Sequence, residues 1–278
     1  MREVAVLGIG QVSVEEHWDR SLVALAGEAV VLALQDAGLE RVDTLIVTNM
    51  LAGIGDNLQL NLGAQVADWC GLRGVEAYKV EAACGSGGSG FRAGLLAVAS
   101  GLVERALVVG VEKMSETTGP ATAAGLATAA DADYEAAHGP SFVALNALIM
   151  RRYMHEYGWR HEDFAPFSIN AHANAAHNPY ARLRRPISEG DYRSARMICD
   201  PINLLDSSPI GDGAAAVVLV PAEPVRAHAG RPRVMVTASA GSTDSLAIHD
   251  RRAPLRLAAA ERSAGEAYAQ AGLGPGEI

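Results

Sequence analysis

Cys84 lies in the segment Val80-Glu81-Ala82-Ala83-Cys84-Gly85-Ser86-Gly87-Gly88-Ser89-Gly90. The segment reads as the end of a strand, one thiol, then glycines and serines opening an alanine-rich helix that runs to about Gly101. A thiol at a helix N-terminus feels the partial positive charge of unpaired N–H groups, which favours thiolate over thiol. The small residues after it leave room for a substrate carbonyl and for backbone donors. This is where a chain places a nucleophile.

Two other readings compete for these residues. A lone cysteine in an apolar setting is more often an inert core residue; Cys70 and Cys199, without glycine-rich flanks, fit that description. Gly85-x-Gly87-x-x-Gly90 also matches the dinucleotide fingerprint, after a strand and opening a helix. Against it, the match lies in a run of small residues and follows the third predicted strand rather than the first. The next acids, Glu104 and Glu112, do not sit at the end of a second strand. A phosphate-cradling GK[ST] and a G-x-S-x-G elbow are both missing from the sequence.

The elements that must position Cys84 alternate. Strand patterns cover Val4–Gly8, Asp43–Asn49, Ala77–Ala82 and Ala106–Val111, and helical patterns cover Trp18–Ala37, Leu58–Trp69 and Gly87–Gly101. Gly38 and Gly101 are helix stops. Such alternation predicts an α/β fold with a mostly parallel sheet covered by helices on both faces. From Ser115 to Pro209 the character changes. Thr117 to Glu135 has no clear period and reads as a loop or cap, followed by helices near Pro140–Tyr157 and His161–Ala176 and an arginine-rich connection. Arg182, Arg184, Arg185, Arg193 and Arg196 there form either a solvated face or an anchor for a ligand phosphate. Gly211-Asp212-Gly213 then turns the chain into a buried strand over Ala214–Val220.

Composition narrows the function classes. The 278 residues are 49% hydrophobic, which places the chain among globular proteins able to bury a large core. A net charge of −9 argues against a nucleic-acid partner. No apolar run reaches the length of a membrane span, and there is no basic region followed by an apolar one at the N-terminus. Three widely spaced cysteines make neither a disulfide framework nor a zinc cluster, so no metal is expected and a reducing cytoplasm is the expected location.

Residues 233–278 echo the beginning. Arg233–Ala240 is again a strand, then a loop, then a helix ending in Gln270-Ala271-Gly272-Leu273, as the first helix ends in Gln35-Asp36-Ala37-Gly38-Leu39. The echo suggests two related halves, the second broken off early.

With these residues in hand, the chain resembles the thiolases, and most of all the archaeal and sterol-carrier-protein-type branch of acyl-CoA acyltransferases. The likeness rests on Val80–Gly87 and Gly110-Val111-Glu112-Lys113-Met114-Ser115. It also rests on His138-Gly139-Pro140-Ser141-Phe142, Asn178-Pro179-Tyr180, Ser208–Ala216 and Leu246–Asp250. The resemblance implies a thiolase-like duplicated αβαβα fold with its second half truncated. Residues 1–114 would be the N-terminal half bearing the nucleophile, 115–209 a cap insertion, 210–230 the return strand and 231–278 the start of the C-terminal half.

The resemblance also implies a function in lipid metabolism, forming or cleaving β-ketoacyl-CoA through an acyl group carried on Cys84. Ser208 would contact the pantetheine of coenzyme A and His138 would line the CoA channel. Coenzyme A thioesters would be substrates, with no separate cofactor. A homodimer or homotetramer is implied, with a zinc-ribbon/OB-fold protein as a possible partner in this branch. The family's remaining catalytic groups come from its second half: an Asn- or His-containing loop, a Gly-His-Pro histidine and often a second cysteine. The sequence as written does not reach them, so it is expected to lack turnover by itself. A thiolase-like retro-aldolase, disfavoured by the retained Cys84, and a non-catalytic subunit supporting a partner chain are the alternatives within the fold.

Overall fold

A computed structural model describes residues 2–53, 58–223, 225 and 232–278. The described chain divides into two compact units, one of residues 1–116, 212–242 and 259–278, the other of residues 117–211 and 243–258.

The first unit is built on one sheet. Its strands are β1 (Val4–Gln11), β2 (Thr44–Thr48), β3 (Glu76–Val80), β4 (Ala106–Glu112), β7 (Gly213–Pro221) and β8 (Val234–Met235), in the spatial order β3-β2-β4-β7-β1-β8. β2 pairs parallel with β3 and β4, whereas β7 runs antiparallel to both β4 and β1. The sheet is therefore mixed rather than mostly parallel. The reason lies in the register. Glu112, the last residue of β4, pairs with Gly213, the first of β7. A strand that resumes at the end where its neighbour stopped can only run back antiparallel.

Helices α1 (Leu22–Ala37) and α2 (Leu62–Trp69) cover one face of this sheet, and α3 (Ser86–Ser100) covers the other. α1 is delimited by its own sequence. The Ser21 hydroxyl accepts from Ala24 N at 3.2 Å, and Gly38 adopts φ +66°, where glycine has no side-chain penalty. The first face buries Leu25, Ala29, Val30, Leu45, Val47, Leu107 and Val109, while Ile46, Val98, Val108 and Leu219 close the second. Alternate residues of β2 and β4 thus point to opposite cores, as the two-residue period of a strand requires. α3 lies directly on the strands because Gly90 and Gly94 have no side chains. A Cβ on Gly90 would stand 2.1 Å from Thr48 Cγ2, and one on Gly94 2.7 Å from Val108 Cγ2.

The second unit holds α4 (Gly119–Ala127), α5 (Phe142–Tyr157), α6 (Ala165–Ala175), α7 (Glu189–Ser194) and a two-stranded ladder of β5 (Met197–Cys199) with β6 (Ile202–Asn203). Helix α4 falls where no period is visible in the sequence. Alanine has the highest intrinsic helix propensity and Pro120 is well placed in the first turn, so a helix forms without an apolar stripe to announce it.

Of the residues expected to begin a second half, 232–242 and 259–278 fall in the first unit and 243–258 in the second, and β8 joins the existing sheet opposite Ala5 and Val6. The strand expected over Arg233–Ala240 is short because side chains take over its backbone groups. Ser239 N donates to Gln270 Oε1 at 3.0 Å, and Ser239 O accepts from Arg92. The last helix, α8, spans Ala258–Ala271. The expected boundary at 230/231 lies outside the described residues.

Candidate functional site

Cys84 stands four residues beyond the C-terminal end of β3, on the turn that opens α3. Thr48 pairs with both Val80 and Gly110, so β3 and β2 end together, β4 runs two residues further, and all three present their C-terminal ends at one edge of the sheet. In open α/β sheets that edge is where ligands bind.

The turn is tightly determined. Gly85 N donates to Ala82 O at 2.9 Å and Ser86 N to Ala83 O at 3.1 Å. The Ser86 hydroxyl donates to Ala83 O at 2.6 Å and accepts from Ala82 N at 2.8 Å. Between these ties Ala83 adopts φ +47°, a left-handed conformation that costs an L-residue about 1–2 kcal/mol. Backbone strain of this kind persists only where the surroundings over-determine it, and it concentrates at functional sites. The result is an exposed Cys84 raised in front of α3. A Cβ built on Gly87 or Gly88 would meet nothing within 4 Å, so the first turn of α3 that follows Cys84 faces open space at both glycines.

The adjoining strand ends supply the frame. Glu112, on β4, accepts from Asn49 Nδ2 at 2.8 Å, Met50 N at 3.0 Å and Leu51 N at 3.3 Å, and so ties down the loop after β2. Burial pushes the Glu112 carboxyl above the usual range, more than these hydrogen bonds and the Lys79 ammonium pull it down. Deeper in the unit, Lys113 and Asp212 are fully buried side chains 3.3 Å apart. Asp212 also accepts from Met114 N, Ser115 N and Oγ, and His17 N. Burial alone would raise the Asp212 carboxyl, but the bonds from Ser115, His17 and Met114 win and hold it at about 2. His17 joins the cluster a second time, its carbonyl accepting from Lys113 Nζ.

The other two cysteines differ from Cys84. Cys70 is half-buried at the end of α2, and burial pushes its thiol up to about 11. Cys199 is half-buried in β5. Among the described residues no group of three or more His, Cys, Asp or Glu side chains is arranged to hold a metal ion. No described helix is long and apolar enough to cross a membrane.

In the second unit, His138 ends the 3-10 turn Ala136–His138 before Gly139, which adopts φ +77°, and it is exposed. Its neighbours Ala136 and Gly139 help line a cavity of about 440 Å³ with Pro120, Ala123, Ala127 and Ser141. Ser208 is exposed on the segment that leads toward β7. Arg193 pairs with Glu189 one turn away, at 3.5 Å, on an exposed helix face. The residues that sequence reasoning missed are those that hold the site rather than act in it: Ser86, Ala83, and the pairing of Lys113 with Asp212. The signals were short. They are a serine two residues after the cysteine, and a lysine and an aspartate inside two motifs already singled out.

The model of the thiolase N-terminal domain matches residues 5–223. An acetyl-CoA acetyltransferase of Methanothermobacter thermautotrophicus is 41% identical over 280 aligned residues, covering 100% of this chain and 72% of the relative. An acetyl-CoA acetyltransferase of Methanocaldococcus jannaschii is 34% identical, covering 100% of this chain and 71% of the relative. Among solved structures, the Ltp2-ChsH2(DUF35) aldolase superposes with a TM-score of 0.80 at 26% identity, over 99% of this chain and 71% of that one. An exposed cysteine on a strained turn between β3 and α3, in a sheet that the family model spans from β1 to β7, agrees with these likenesses: the chain belongs to the thiolase family.

Proposed function

We propose that Cys84 is the residue on which this thiolase-type acyltransferase carries its acyl group, as an acetyl-CoA C-acyltransferase. The thiolate Sγ attacks the thioester carbonyl, the bond from that carbon to the CoA sulfur breaks, and CoA leaves as a thiolate that takes up a proton. The acyl carbon then forms a C–C bond with the carbanion of a second acyl-CoA as its bond to Sγ breaks and the Cys84 thiolate is regenerated. In the degradative direction Sγ attacks the β-keto carbon of a β-ketoacyl-CoA, the C–C bond breaks to leave the carbanion of an acyl-CoA that takes up a proton, and the sulfur of free CoA then takes the acyl group from Sγ. The observation that carries this reading is the exposed Cys84 thiol on the Ala83 turn, with open space beside Gly87 and Gly88. His138 and Ser208 are proposed as contacts to the CoA moiety, supported by their exposure in the second unit.

The test is to incubate the protein with acetyl-CoA and locate the adduct by peptide mass spectrometry. An acetyl group on the Cys84 peptide, absent in Cys84→Ala, is the expected result. Acetylation of Cys70 or Cys199 instead would overturn it. A thermal shift with CoA and none with NAD separates this reading from a dinucleotide site at Gly85–Gly90.

A retro-aldolase is the second reading, favoured by the likeness to the Ltp2-ChsH2(DUF35) aldolase. The DUF35 component of the Ltp2-ChsH2(DUF35) aldolase supports a DUF35-type partner here, alongside a homodimer or homotetramer. The second reading requires no acyl-cysteine, so the same adduct decides between them. A cytoplasmic location completes the proposal.

A further inference from the structure

Tyr192 is a fully buried side chain on α7 whose hydroxyl donates to Asp206 Oδ1. The other carboxylate oxygen, Oδ2, accepts from His161 Nε2 at 2.9 Å and from Asn203 N at 2.9 Å. His161 and Tyr192 stack with ring centroids 4.9 Å apart, the hydroxyl 3.0 Å from Nε2. The Tyr192 hydroxyl thus serves one carboxylate oxygen and the Asn203 amide the other, with His161 Nε2 within hydrogen-bond distance of both Oδ2 and the hydroxyl.

The same cluster ties down the turn Asn203–Asp206. Asn203 Nδ2 donates to Tyr192 O at 2.9 Å, while Asn203 Oδ1 accepts from Leu205 N at 2.7 Å and Asp206 N at 3.0 Å. Ser168, on α6, donates to Leu205 O at 2.7 Å. The turn is thus bonded to α6, to α7 and to the 3-10 turn at His161–Phe164. Ser208 follows Asp206 by two residues, a reach of at most about 7 Å of backbone. Taking the Tyr192 hydroxyl and most of the Asp206 and His161 side chains out of water is a poor way to gain stability, since an apolar plug of the same volume does as well or better. A satisfied polar network instead specifies one position for the segment it holds.

We propose that Tyr192, Asp206 and His161 are positioning residues that hold the Asn203–Asp206 turn so that Ser208 is presented to a CoA thioester. The inference rests on the reading of Ser208 as a CoA contact.

Tyr192→Phe keeps the ring and removes the hydroxyl, and Asp206→Asn removes the charge. His161→Gln, at a side chain 22% exposed, serves if either variant does not fold. Three readouts are taken on the whole chain: hydrogen exchange of the 203–210 peptide without ligand, the Kd for CoA by calorimetry, and the rate at which iodoacetamide labels Cys84. Faster exchange confined to that peptide is expected, with CoA binding weakened about tenfold and labelling of Cys84 within about twofold of wild type. A purely structural role would not produce that split. Unchanged exchange overturns the proposal, as does faster exchange with unchanged CoA affinity. Ser208→Ala is measured alongside. If wild type binds CoA and Ser208→Ala weakens it while the clamp variants do not, the clamp alone is wrong. If wild type binds no CoA, the Ser208 reading falls and takes the clamp with it.

Discussion

Lys113 Nζ and Asp212 Oδ2 stand 3.3 Å apart with both side chains at 0% exposure, tying the end of β4 to the start of β7. Because Glu112 and Gly213 pair in the register of the sheet, this ion pair sits where the chain leaves the first unit and where it resumes. Asp212 adds bonds from Met114, Ser115 and His17, so one carboxylate organises three segments. Its charge is therefore part of the fold.

Asp212→Asn should destabilise the protein by about 3 kcal/mol at neutral pH, because it removes the buried counter-charge of the Lys113 ammonium and leaves it only the half-exposed Glu116 carboxylate, 3.4 Å away. The pH dependence has a definite sign. The folded carboxyl is held at about 2 against an ordinary 3.8, so its contribution is present above the ordinary value and lost as pH falls through the folded one. Urea unfolding followed from pH 5 to pH 2 should show a loss on the order of 2 kcal/mol attributable to this group. Asp212→Asn should lack that component. An identical acid profile in the variant would remove Asp212 from the account.

Gly90→Ala tests how closely α3 lies on β2. The added methyl would fall 2.1 Å from Thr48 Cγ2, a side chain that is itself buried in the sheet. Overpacking of this sort costs about 1–3 kcal/mol, and α3 must move to relieve it. Denaturant midpoints should fall accordingly. A Gly88→Ala control, at a site with no neighbour within 4 Å, should change stability far less.

Much of this arrangement was legible in the sequence because its periods are strong. β2 and β4 are runs of β-branched and leucine residues, and α1 ends at a glycine that the structure shows at φ +66°. The position of Cys84 between β3 and α3 was legible for the same reason. What failed was whatever depends on partners distant in sequence. The antiparallel course of β7 follows from its register with β4, and the shortness of β8 from Gln270 and Arg92 competing for Ser239. Helix α4 was missed because alanine on every face leaves no period to detect. The Tyr192–Asp206–His161 cluster joins residues up to 45 apart, and no local pattern marks it.

Cys84 should be the cysteine that iodoacetamide labels fastest near neutral pH. It is exposed, whereas Cys70 and Cys199 are half-buried, and burial holds the Cys70 thiol at about 11. Only the thiolate attacks, so at pH 7 to 8 Cys70 offers a negligible reactive fraction. Peptide mapping of a labelling time course gives the order directly. Equal or faster labelling at either half-buried site would contradict the assignment of Cys84 as the nucleophile.

Ser86→Ala separates the exposure of Cys84 from its placement. The hydroxyl makes two bonds within the turn, at 2.6 Å to Ala83 O and 2.8 Å from Ala82 N, and the residue is 5% exposed. Losing them should cost about 1 kcal/mol of stability and leave two of the turn's four ties, its backbone bonds, to hold Ala83 at φ +47°. The thiol remains exposed, so iodoacetamide, a small reagent that needs no orientation, should label it within about twofold of the wild-type rate. Acetyl transfer from acetyl-CoA needs the sulfur aligned on a bound carbonyl, and a misplacement near 1 Å can cost up to about a hundredfold. A fall of about tenfold or more in Cys84 acetylation, with alkylation preserved, is the expected result. If both rates fall together the serine affects access rather than placement. If neither changes, the strained turn plays no part in presenting the nucleophile.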